Sequence, residues 1–350
     1  MIKFLQTADW HSTLKTTYGK SRFECIDLAT DKMAEMLSKK TVSFIVLCGD
    51  IFDTVNPTEE ERQFVSAQVK KLGKAGKVYW ILGNHDKNEL FSALGSTKIL
   101  MGETNIKILI KPTIIKIDGY KFGFLSHSKD VPRVISEFNK EKVDVLFSHF
   151  SIIGGSVSSS NFKLKRWIDP KILSRFLYTG LGDLHTLQHK DRIWYSGSPV
   201  KVNFGERADV KGFLSVRLSK KKRSVKVKLI ETPDLKMYML KFSNGKLLDY
   251  SNMKEFKDYS GAILKIRYFH KDRDIIPNFK EHAVTSGARG VSLELIRVRD
   301  KGRKVKRIDY NLPFGKILDT YIKQDKTVKP KRGKRIFKYA MKVAKESGIF

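Results

Sequence analysis

Eight side chains that can donate oxygen or imidazole nitrogen to a metal follow short apolar runs between residues 9 and 185. They are Asp9, His11, Asp50, Asn84, His85, His149, Asp183 and His185. These donors suit manganese, zinc, iron or magnesium better than copper(I) or an iron–sulfur cluster, because none of them is sulfur. Two ions about 3.5–4 Å apart that share a carboxylate would use seven of the eight and activate water for attack on phosphorus. The residue types therefore predict two-metal hydrolysis of a phosphate ester.

Apolar runs of strand-like composition must position these donors. In chain order the runs are 2–8, 42–48, 78–82, 122–125, 143–147 and 178–181. Amphipathic segments with helical spacing lie between several of them, at 26–37 and 59–72. Alternation of strand and helix predicts an α/β fold in which the strand ends share one edge, where open sheets bind ligands. Residues two apart beyond a strand end can enter one pocket, so Asp9 with His11 and Asp183 with His185 each form a predicted pair of ligands.

The overall charge is strongly positive. The chain has 350 residues, with 68 Lys and Arg against 37 Asp and Glu, which gives a formal net charge of +31. Such a surplus attracts polyanions, so nucleic acid is the first partner class that we expect and an anionic membrane the second. Neither a run of about 20 apolar residues nor the apolar stretch of a secretion signal is visible in the sequence. We therefore expect a cytoplasmic protein that does not span a membrane.

The alternation of strands and helices ends after Pro199. We predict three domains, which comprise residues 1–234, 235–300 and 301–350. A hairpin of strands 213–218 and 225–230 is predicted first, with a turn of four cations that we expect to contact phosphate. The four are Lys220, Lys221, Lys222 and Arg223. A nuclear-import signal is the other interpretation of this run. A small α+β unit should follow, with strands at 262–268 and 291–298 around a helix near 278–284.

The end of the chain is a basic tail. From Arg297 onwards it carries 18 Lys and Arg against five acids, among them Arg303 and Lys304, which we expect to contact DNA. Two apolar stripes at helical spacing lie within it. One comprises Phe314, Ile317, Leu318, Tyr321 and Ile322, and the other comprises Ile336, Phe337, Ala340, Val343 and Ala344. Two short amphipathic helices have little core of their own, so we expect their apolar faces to pack against a partner. The alternatives are that they fold back on this chain or that the tail contacts DNA directly.

Taken in order, the donor motifs resemble those of the calcineurin-like metallophosphoesterase superfamily. The motifs are Asp9-Trp-His11, Gly-Asp50-Ile-Phe-Asp53, Gly-Asn84-His85-Asp86, Ser-His149-Phe and Gly-Asp183-Leu-His185. The segments 195–199 (Tyr-Ser-Gly-Ser-Pro) and 204–206 (Phe-Gly-Glu) further resemble the SbcD family of DNA double-strand-break nucleases. The resemblance covers about residues 1–210. It implies a two-sheet β-sandwich flanked by helices as the nuclease domain, a smaller α+β capping domain that also binds DNA, and a basic helical tail.

The resemblance also implies a role for each motif residue. The first metal would be held by Asp9, His11, Asp50 and His185, and the second by Asp50 as a bridge with Asn84, His149 and Asp183. His85 would face the scissile phosphate, which makes it the candidate general acid or transition-state stabiliser. Asp53 and Asp86 would orient the ligands.

Asp183 departs from the family pattern, which reads Gly-His-Xaa-His at that place. A carboxylate is a competent ligand and favours hard ions such as Mn²⁺ or Mg²⁺. Loss of one ligand is the rival interpretation of the change.

The function that the resemblance implies is nuclease action on DNA ends in recombination and double-strand-break repair. It would comprise 3′–5′ exonuclease action on duplex and endonuclease action on single-stranded or hairpin DNA, with two Mn²⁺ per chain, or Mg²⁺ in their place. The family also implies a homodimer and a partner, the SMC-like coiled-coil ATPase SbcC, which would dock on the two tail stripes. A phosphatase or cyclic-nucleotide phosphodiesterase, and a non-catalytic scaffold that binds DNA ends, are the alternatives.

Overall fold

The computed structural model of the chain describes residues 1–16, 18–86, 103–156, 168–251, 253–297, 314–324 and 329–346. The chain divides into two compact units, Met1–Ile296 and Arg297–Phe350. Across the described ranges, none of the helices combines the length and the apolar character that a membrane crossing requires.

Two six-stranded sheets form the larger part of the first unit, and their strands are numbered in chain order. The first sheet contains β1 (Ile2–Thr7), β2 (Phe44–Cys48), β3 (Lys77–Ile81), β4 (Ile106–Leu109), β11 (Gly212–Ser219) and β12 (Ser224–Glu231), in the order β12-β11-β1-β2-β3-β4. The second contains β5 (Thr113–Ile117), β6 (Tyr120–Leu125), β7 (Val145–His149), β8 (Tyr178–Gly182), β9 (Gln188–Lys190) and β10 (Ile193–Tyr195), in the order β5-β6-β7-β8-β10-β9. The strands β1 to β4 run parallel to one another, as do β6, β7 and β8.

The two sheets pack face to face around an aromatic core. Phe4 stacks on Phe44 with ring centroids 5.3 Å apart, and Phe122 and Phe147 meet Phe4 edge-on. The outer faces are covered by α1 (Gly19–Ser38) and α2 (Glu59–Ala75) on the first sheet and by α3 (Val131–Lys140) on the second. Strands covered on both faces read as continuous apolar runs, which explains why the sequence predicted them. The predicted α/β sandwich flanked by helices is confirmed.

A third sheet of four strands completes the first unit. It contains β13 (Lys236–Ser243), β14 (Lys246–Asp249), β15 (Ala262–Phe269) and β16 (Gly290–Ile296), with α4 (Ile276–Thr285) packed on one face. Met237 and Ile263 belong to the same buried cluster as Leu5 of β1, so the sheet is joined to the sandwich by a shared core. Residues 235–296 therefore lie in one compact unit with the sandwich, and the predicted boundary at residue 234 stays a prediction.

The second unit contains two helices, α5 (Phe314–Gln324) and α6 (Pro330–Glu346), within the part of the chain that is described. In the first predicted stripe, Ile317 and Leu318 are half-buried. In the second, Ala344 is buried, Phe337 and Ala340 are half-buried, and Ile336 is 38% exposed. The side chains of Phe314 and Tyr321, and the candidate DNA contacts Arg303 and Lys304, lie outside the described residues.

Candidate metal centre

The predicted donors follow strands whose carboxyl ends meet at one edge of the sandwich. The turn after β1 is tied to the turn after β2, because Asp9 N donates to Gly49 O and His11 N donates to Asp50 O, each at 3.0 Å. From the other sheet, His149 ends β7 and Asp183 follows β8, and Asp183 N donates to Asp9 Oδ1 at 3.0 Å. Both sheets therefore contribute donors to one edge.

Three overlapping groups of donors form at this edge. Within each group, one ligand atom from every residue lies within 4.8 Å of the others. The groups are Asp9 with His11 and His185, His11 with Asp50 and His85, and Asp9 with Asp50 and His149. Asp50 Oδ2 lies 3.3 Å from His149 Nε2 and 3.7 Å from His11 Nε2, so the Asp50 carboxylate stands between two imidazoles. That is the place that a bridging ligand would occupy.

The orientation of three histidine rings is fixed by contacts to their Nδ1 atoms, which face away from the cluster. His149 Nδ1 lies 2.8 Å from the carbonyl oxygen of Cys48, which can only accept, so Nδ1 carries the proton and Nε2 is free to bind a cation. His185 Nδ1 lies 3.0 Å from Glu206 Oε1, and His11 Nδ1 lies 3.2 Å from Asp53 Oδ1. A carboxylate or carbonyl behind an imidazole is the arrangement that sets the tautomer of a metal ligand.

Several inward atoms of the cluster have no hydrogen-bond partner among the described residues. Asp9 Oδ2, His11 Nε2 and His149 Nε2 are buried, and none has a hydrogen-bond partner among the described residues. Burying an unsatisfied polar atom costs about 1–3 kcal/mol, so three such atoms facing one another require an explanation. Divalent cations satisfy both carboxylate oxygens and imidazole nitrogens. The donor set therefore fits the two metal ions that the sequence predicted.

Burial and mutual charge change the acidity of these groups. Burial raises the pKa of the Asp9 carboxyl to about 7 and lowers the pKa of the His11 imidazole to about 4. Burial acts to raise the pKa of Asp50 as well, but the His149 imidazole beside it outweighs burial and holds that pKa below its usual range. The Asp50 carboxylate in turn raises the pKa of the buried His149 imidazole, so the charge states of these carboxyl and imidazole groups depend on one another.

The backbone at the donors is held in an unusual conformation. Four of the predicted donors have positive φ angles, Asp9 at 54°, His11 at 43°, Asp50 at 52° and Asp183 at 95°. The left-handed region is unfavourable for residues with a Cβ, and such strain is concentrated at functional sites because the surrounding structure imposes it. Here the paired strands impose it and aim the four side chains at the cluster.

Two glycines beside the donors make room for them. A Cβ on Gly83 would lie 2.0 Å from Asp50 Oδ1, and a Cβ on Gly49 would lie 2.4 Å from His149 Nδ1. Neither distance is compatible with a side chain, and Gly49 also has a φ of 84°. The glycines of the Gly-Asp and Gly-Asn motifs therefore serve close approach to the ligands.

Asp53 and Asp86 contact the donor loops from behind. Asp53 Oδ1 faces the outer nitrogen of the His11 ring. Asp86 accepts from the backbone N–H groups of Ile51, Phe52 and Gly83, each at 3.0 Å, and so ties the turn after β2 to the turn after β3. Burial, with the nearby Asp50 charge, raises the pKa of Asp86 to about 6. Asp53 and Asp86 therefore contact a donor ring and the donor turns, respectively, and their orienting role stays a prediction.

The structure places His85 at the donor cluster. Its backbone N–H donates to Asp50 Oδ1 at 2.9 Å, and its Nδ1 lies 2.6 Å from the carbonyl oxygen of Asp53. The ring also stands in one of the three donor groups, 4.9 Å from the His11 ring centroid. Asn84 precedes it in the same turn with an exposed side chain. The predicted role of His85 at the phosphate and a role as ligand are both compatible with this position.

Asp183 faces the cluster with its carboxylate. Its Oδ1 lies 3.9 Å from His149 Nε2, and its Oδ2 accepts a hydrogen bond from the Ser151 hydroxyl. The side chain is 26% exposed, so it forms the outer wall of the cluster. Asp183 is in none of the three donor groups formed by the described residues, and its role as a ligand stays a prediction.

Sequence reasoning missed two residues that hold the donors, Ser151 and Glu206. Glu206 is buried between His185 and Lys211, whose Nζ lies 2.7 Å from Glu206 Oε2. Burial acts to raise the pKa of Glu206, but the hydrogen bond from His185 and the charge of Lys211 lower it to about 2. The Phe-Gly-Glu segment that contributed to the resemblance was the available signal, because its acid is an unusual residue to bury.

The predicted phosphate-contacting turn is not part of this cluster. The turn joins β11 to β12. Leu218, near the end of β11, pairs with Ile2 at the start of β1, whereas Asp9 follows the end of β1. The turn and the cluster are therefore at opposite ends of the strands. Lys220 forms an ion pair with Asp144 at 2.9 Å and lies over the Tyr120 ring. The other three cations, Lys221, Lys222 and Arg223, are exposed.

Comparison with known proteins identifies the family of the chain. Residues 2–199 match the profile of the calcineurin-like phosphoesterase family. Among solved structures, a dimetal phosphatase from Danio rerio is similar at 10% identity, covering 66% of this chain and 96% of its own, with a TM-score of 0.41. GAP50, the anchor in the inner membrane complex of Plasmodium, is similar at 14% identity, covering 86% and 98%, with a TM-score of 0.39. A protein of unknown function from Aquifex aeolicus is similar at 19% identity, covering 45% and 80%, with a TM-score of 0.25. Because the profile spans more than half of the chain and every one of the eight donors, the chain belongs to the calcineurin-like phosphoesterase family.

Proposed function

We propose that this chain is a two-metal-dependent DNA nuclease that processes DNA ends, as the nuclease subunit of an SbcCD-type complex. It acts as a 3′–5′ exonuclease on duplex and as an endonuclease on single-stranded or hairpin DNA. The observation that carries the proposal is the cluster of inward carboxylate and imidazole atoms that have no hydrogen-bond partner among the described residues, in a chain with a formal net charge of +31.

The metal ions in this proposal are two Mn²⁺, with Mg²⁺ as the alternative. The residues that would hold the first are Asp9, His11, Asp50 and His185, and those that would hold the second are Asp50, Asn84, His149 and Asp183. When bound, such ions supply positive charge to a phosphate ester and lower the pKa of water toward neutrality.

His85 supplies the proton for the leaving oxygen. Its Nδ1 faces the carbonyl oxygen of Asp53 at 2.6 Å, and because a carbonyl only accepts, Nδ1 keeps its own proton. Nε2 is then the nitrogen that can carry the second proton of an imidazolium ion and donate it. The hydrogen bond from His85 N to Asp50 fixes the turn, so the ring is positioned before substrate arrives.

The positive charge favours DNA over a small phosphate ester. A nuclease must hold a long backbone of phosphates without regard to sequence, which is what a large excess of Lys and Arg provides. A phosphatase or cyclic-nucleotide phosphodiesterase on the same site has no use for +31 charges. The family itself accommodates both activities, so the charge is what distinguishes them.

The decisive experiment offers the purified full chain three substrates with Mn²⁺. They are linear duplex DNA labelled at its 3′ end, p-nitrophenyl phosphate and cyclic AMP, each with an EDTA control, and bound metal is measured in parallel. Release of nucleotides from DNA with two Mn²⁺ per chain supports the proposal. Hydrolysis of the small esters alone would make the protein a phosphatase or cyclic-nucleotide phosphodiesterase, and DNA binding with fewer than two ions and no cleavage would make it a scaffold.

The partner in this proposal, the coiled-coil ATPase SbcC, docks on the helices of the second unit, and the chain forms a homodimer. Of the predicted docking residues on α6, Phe337 and Ala340 are half-buried and Ile336 is 38% exposed. Tyr339 and Val343, at helical spacing from Ile336, are 71% and 43% exposed. Apolar side chains in a line on an exposed helix face suit packing against another helix.

A further inference from the structure

A row of three cations crosses three neighbouring strands of the first sheet. Lys3 on β1 is the register partner of Arg217 on β11, and Arg217 is in turn the register partner of Lys226 on β12. Partners in register point to the same face of a sheet, so the three side chains stand side by side. Together, Lys3, Arg217 and Lys226 form the cation row.

The cation row lies on the outer face of the sandwich. The neighbouring residues Val216 and Leu218 of β11 point inward and are buried in the core between the sheets. Because side chains alternate along a strand, Arg217 points outward, and Arg217 and Lys226 are exposed while Lys3 is half-buried. Lys228, two residues beyond Lys226, is exposed on the same face opposite Ser215.

The charge of the row is not neutralised. Across the described ranges, no carboxylate oxygen lies within 4.0 Å of the charged group of Lys3, Arg217 or Lys226. Other cations at this end of the sandwich do have such partners, since Lys220 pairs with Asp144 and Lys121 with Glu141. Like charges directly opposite one another on a sheet are destabilising, so the fold carries a cost here that neighbouring positions avoid.

The row and the metal centre lie at opposite ends of the strands of the first sheet. Lys3 is near the amino end of β1 and Asp9 follows its carboxyl end, and six residues of strand span roughly 20 Å. The exposed cations of the β11–β12 turn, Lys221, Lys222 and Arg223, adjoin the row and extend it. A ligand of the row is therefore far from any bond that the metal centre cleaves.

We propose that the cation row binds the phosphate backbone of a duplex DNA segment remote from the cleaved bond. The row spans two inter-strand spacings, roughly 10 Å, over which a duplex presents about six phosphate charges. Ser215, Ser219 and Ser224 flank the row, and such polar neighbours suit a hydrated phosphate backbone better than a lipid surface, which requires apolar side chains that insert. This inference rests on the proposed function for its choice of DNA as the polyanion.

The test compares a variant in which the row is neutralised with a matched variant of equal charge loss. The first carries Lys3→Gln, Arg217→Gln and Lys226→Gln. The second carries Lys74→Gln, Lys107→Gln and Lys140→Gln, three lysines on separate elements, α2, β4 and α3. Both are measured as full-length protein for binding of a 30-base-pair duplex in EDTA at several salt concentrations, for Tm, and for hydrolysis of bis(p-nitrophenyl) phosphate with Mn²⁺.

Neutralising the row should reduce the slope of log Kd against log salt by about 3, roughly one for each phosphate that the protein no longer neutralises, while the matched variant retains most of its slope. The same variant should gain about 1–3 °C in Tm, because repulsion is relieved. Hydrolysis of the small ester should be unchanged, since no residue of the row touches the metal centre. The single variant Arg217→Gln, at the centre of the row, should show the same changes at smaller size.

Equal salt slopes for the two triple variants would overturn the inference while leaving the nuclease proposal intact, provided that the wild type binds and cleaves DNA. A wild type that does not bind the duplex at all would overturn both together. Loss of binding to anionic lipid vesicles, with DNA binding retained, would assign the row to a membrane instead.

Discussion

His85 is the residue on which the proposed chemistry depends most directly. The His85→Ala variant should retain two Mn²⁺ per chain and lose DNA cleavage by a factor on the order of 10², because a positioned acid contributes about that much. Metal content and initial cleavage rates measure the two effects separately. His189→Ala, which removes an exposed ring stacked on Trp194, serves as the control and should cleave normally. Loss of one metal from the His85 variant would show that His85 is a ligand, as its place in the donor cluster also permits.

Asp53 should act on the metal through His11. Replacing Asp53 by Asn keeps the shape of the side chain but removes the charge that faces His11 Nδ1 at 3.2 Å. We expect Mn²⁺ affinity, measured by titration calorimetry, to fall by about 10- to 100-fold, the usual effect of losing such a partner. The hydrogen bond that His85 Nδ1 donates to the carbonyl oxygen of Asp53 is retained, because that oxygen belongs to the backbone. Asp130→Asn, at an exposed carboxylate on another loop, should leave affinity unchanged.

Asp183 should set the preference among metals. Its carboxylate lies beside His149 and is held by Ser151, so Asp183→His exchanges a hard oxygen ligand for an imidazole. Competition binding should then show a higher ratio of Zn²⁺ to Mn²⁺ affinity than in the wild type, because imidazole suits zinc and carboxylate suits manganese. Asp183→Asn, which keeps the size and removes the charge, should weaken both metals. An unchanged ratio in the histidine variant would mean that residue 183 does not contact metal.

At the scale of elements, the turns that follow the strands require glycine for packing. Gly83→Ala should destabilise the fold by about 1–3 kcal/mol and abolish metal binding, because its Cβ would lie 2.0 Å from Asp50 Oδ1. Gly119→Ala is the matched control, since Gly119 also lies in a strand connection, with a φ of 76° and open space around a Cβ. It should cost roughly 1 kcal/mol of backbone strain and leave metal affinity unchanged. Equal metal affinity in both variants would contradict the packing argument.

The elements that carry the donors could be predicted from sequence because each is buried on both faces. The run 44–48 is entirely buried, and a continuous apolar stretch that ends in Gly-Asp marks both the strand and its end. Short strands at the margins, such as β9 and β14, have mixed exposure and no clear alternation, and none was predicted there. The contact between Glu206 and His185 also escaped prediction, because the fold, and not local spacing, brings the two residues together.

At the scale of the whole molecule, catalysis and partner binding should be separable. The metal centre lies within Met1–Ile296, whereas the proposed docking face lies on α6 in the second unit. Ile336→Asp should therefore abolish association with an SbcC-type coiled coil, because it places a charge in an apolar contact. Hydrolysis of bis(p-nitrophenyl) phosphate should be unaffected. Lys334→Asp, at an exposed position of the same helix, controls for the change of charge, and equal loss of association in both would refute the apolar docking face.

The metal centre and the cation row lie at opposite ends of the strands of one sheet, and this placement fixes a minimum length of DNA that can contact both. Roughly 20 Å of strand separates Lys3 from Asp9, and a duplex rises about 3.4 Å per base pair, so contact with both requires a footprint of at least about six base pairs. Shorter duplexes can contact either the metal centre or the cation row, but not both at once. When a DNA duplex is shortened below this length, its binding should weaken abruptly and the shortened duplex should dissociate. The final DNA products should therefore have a characteristic length.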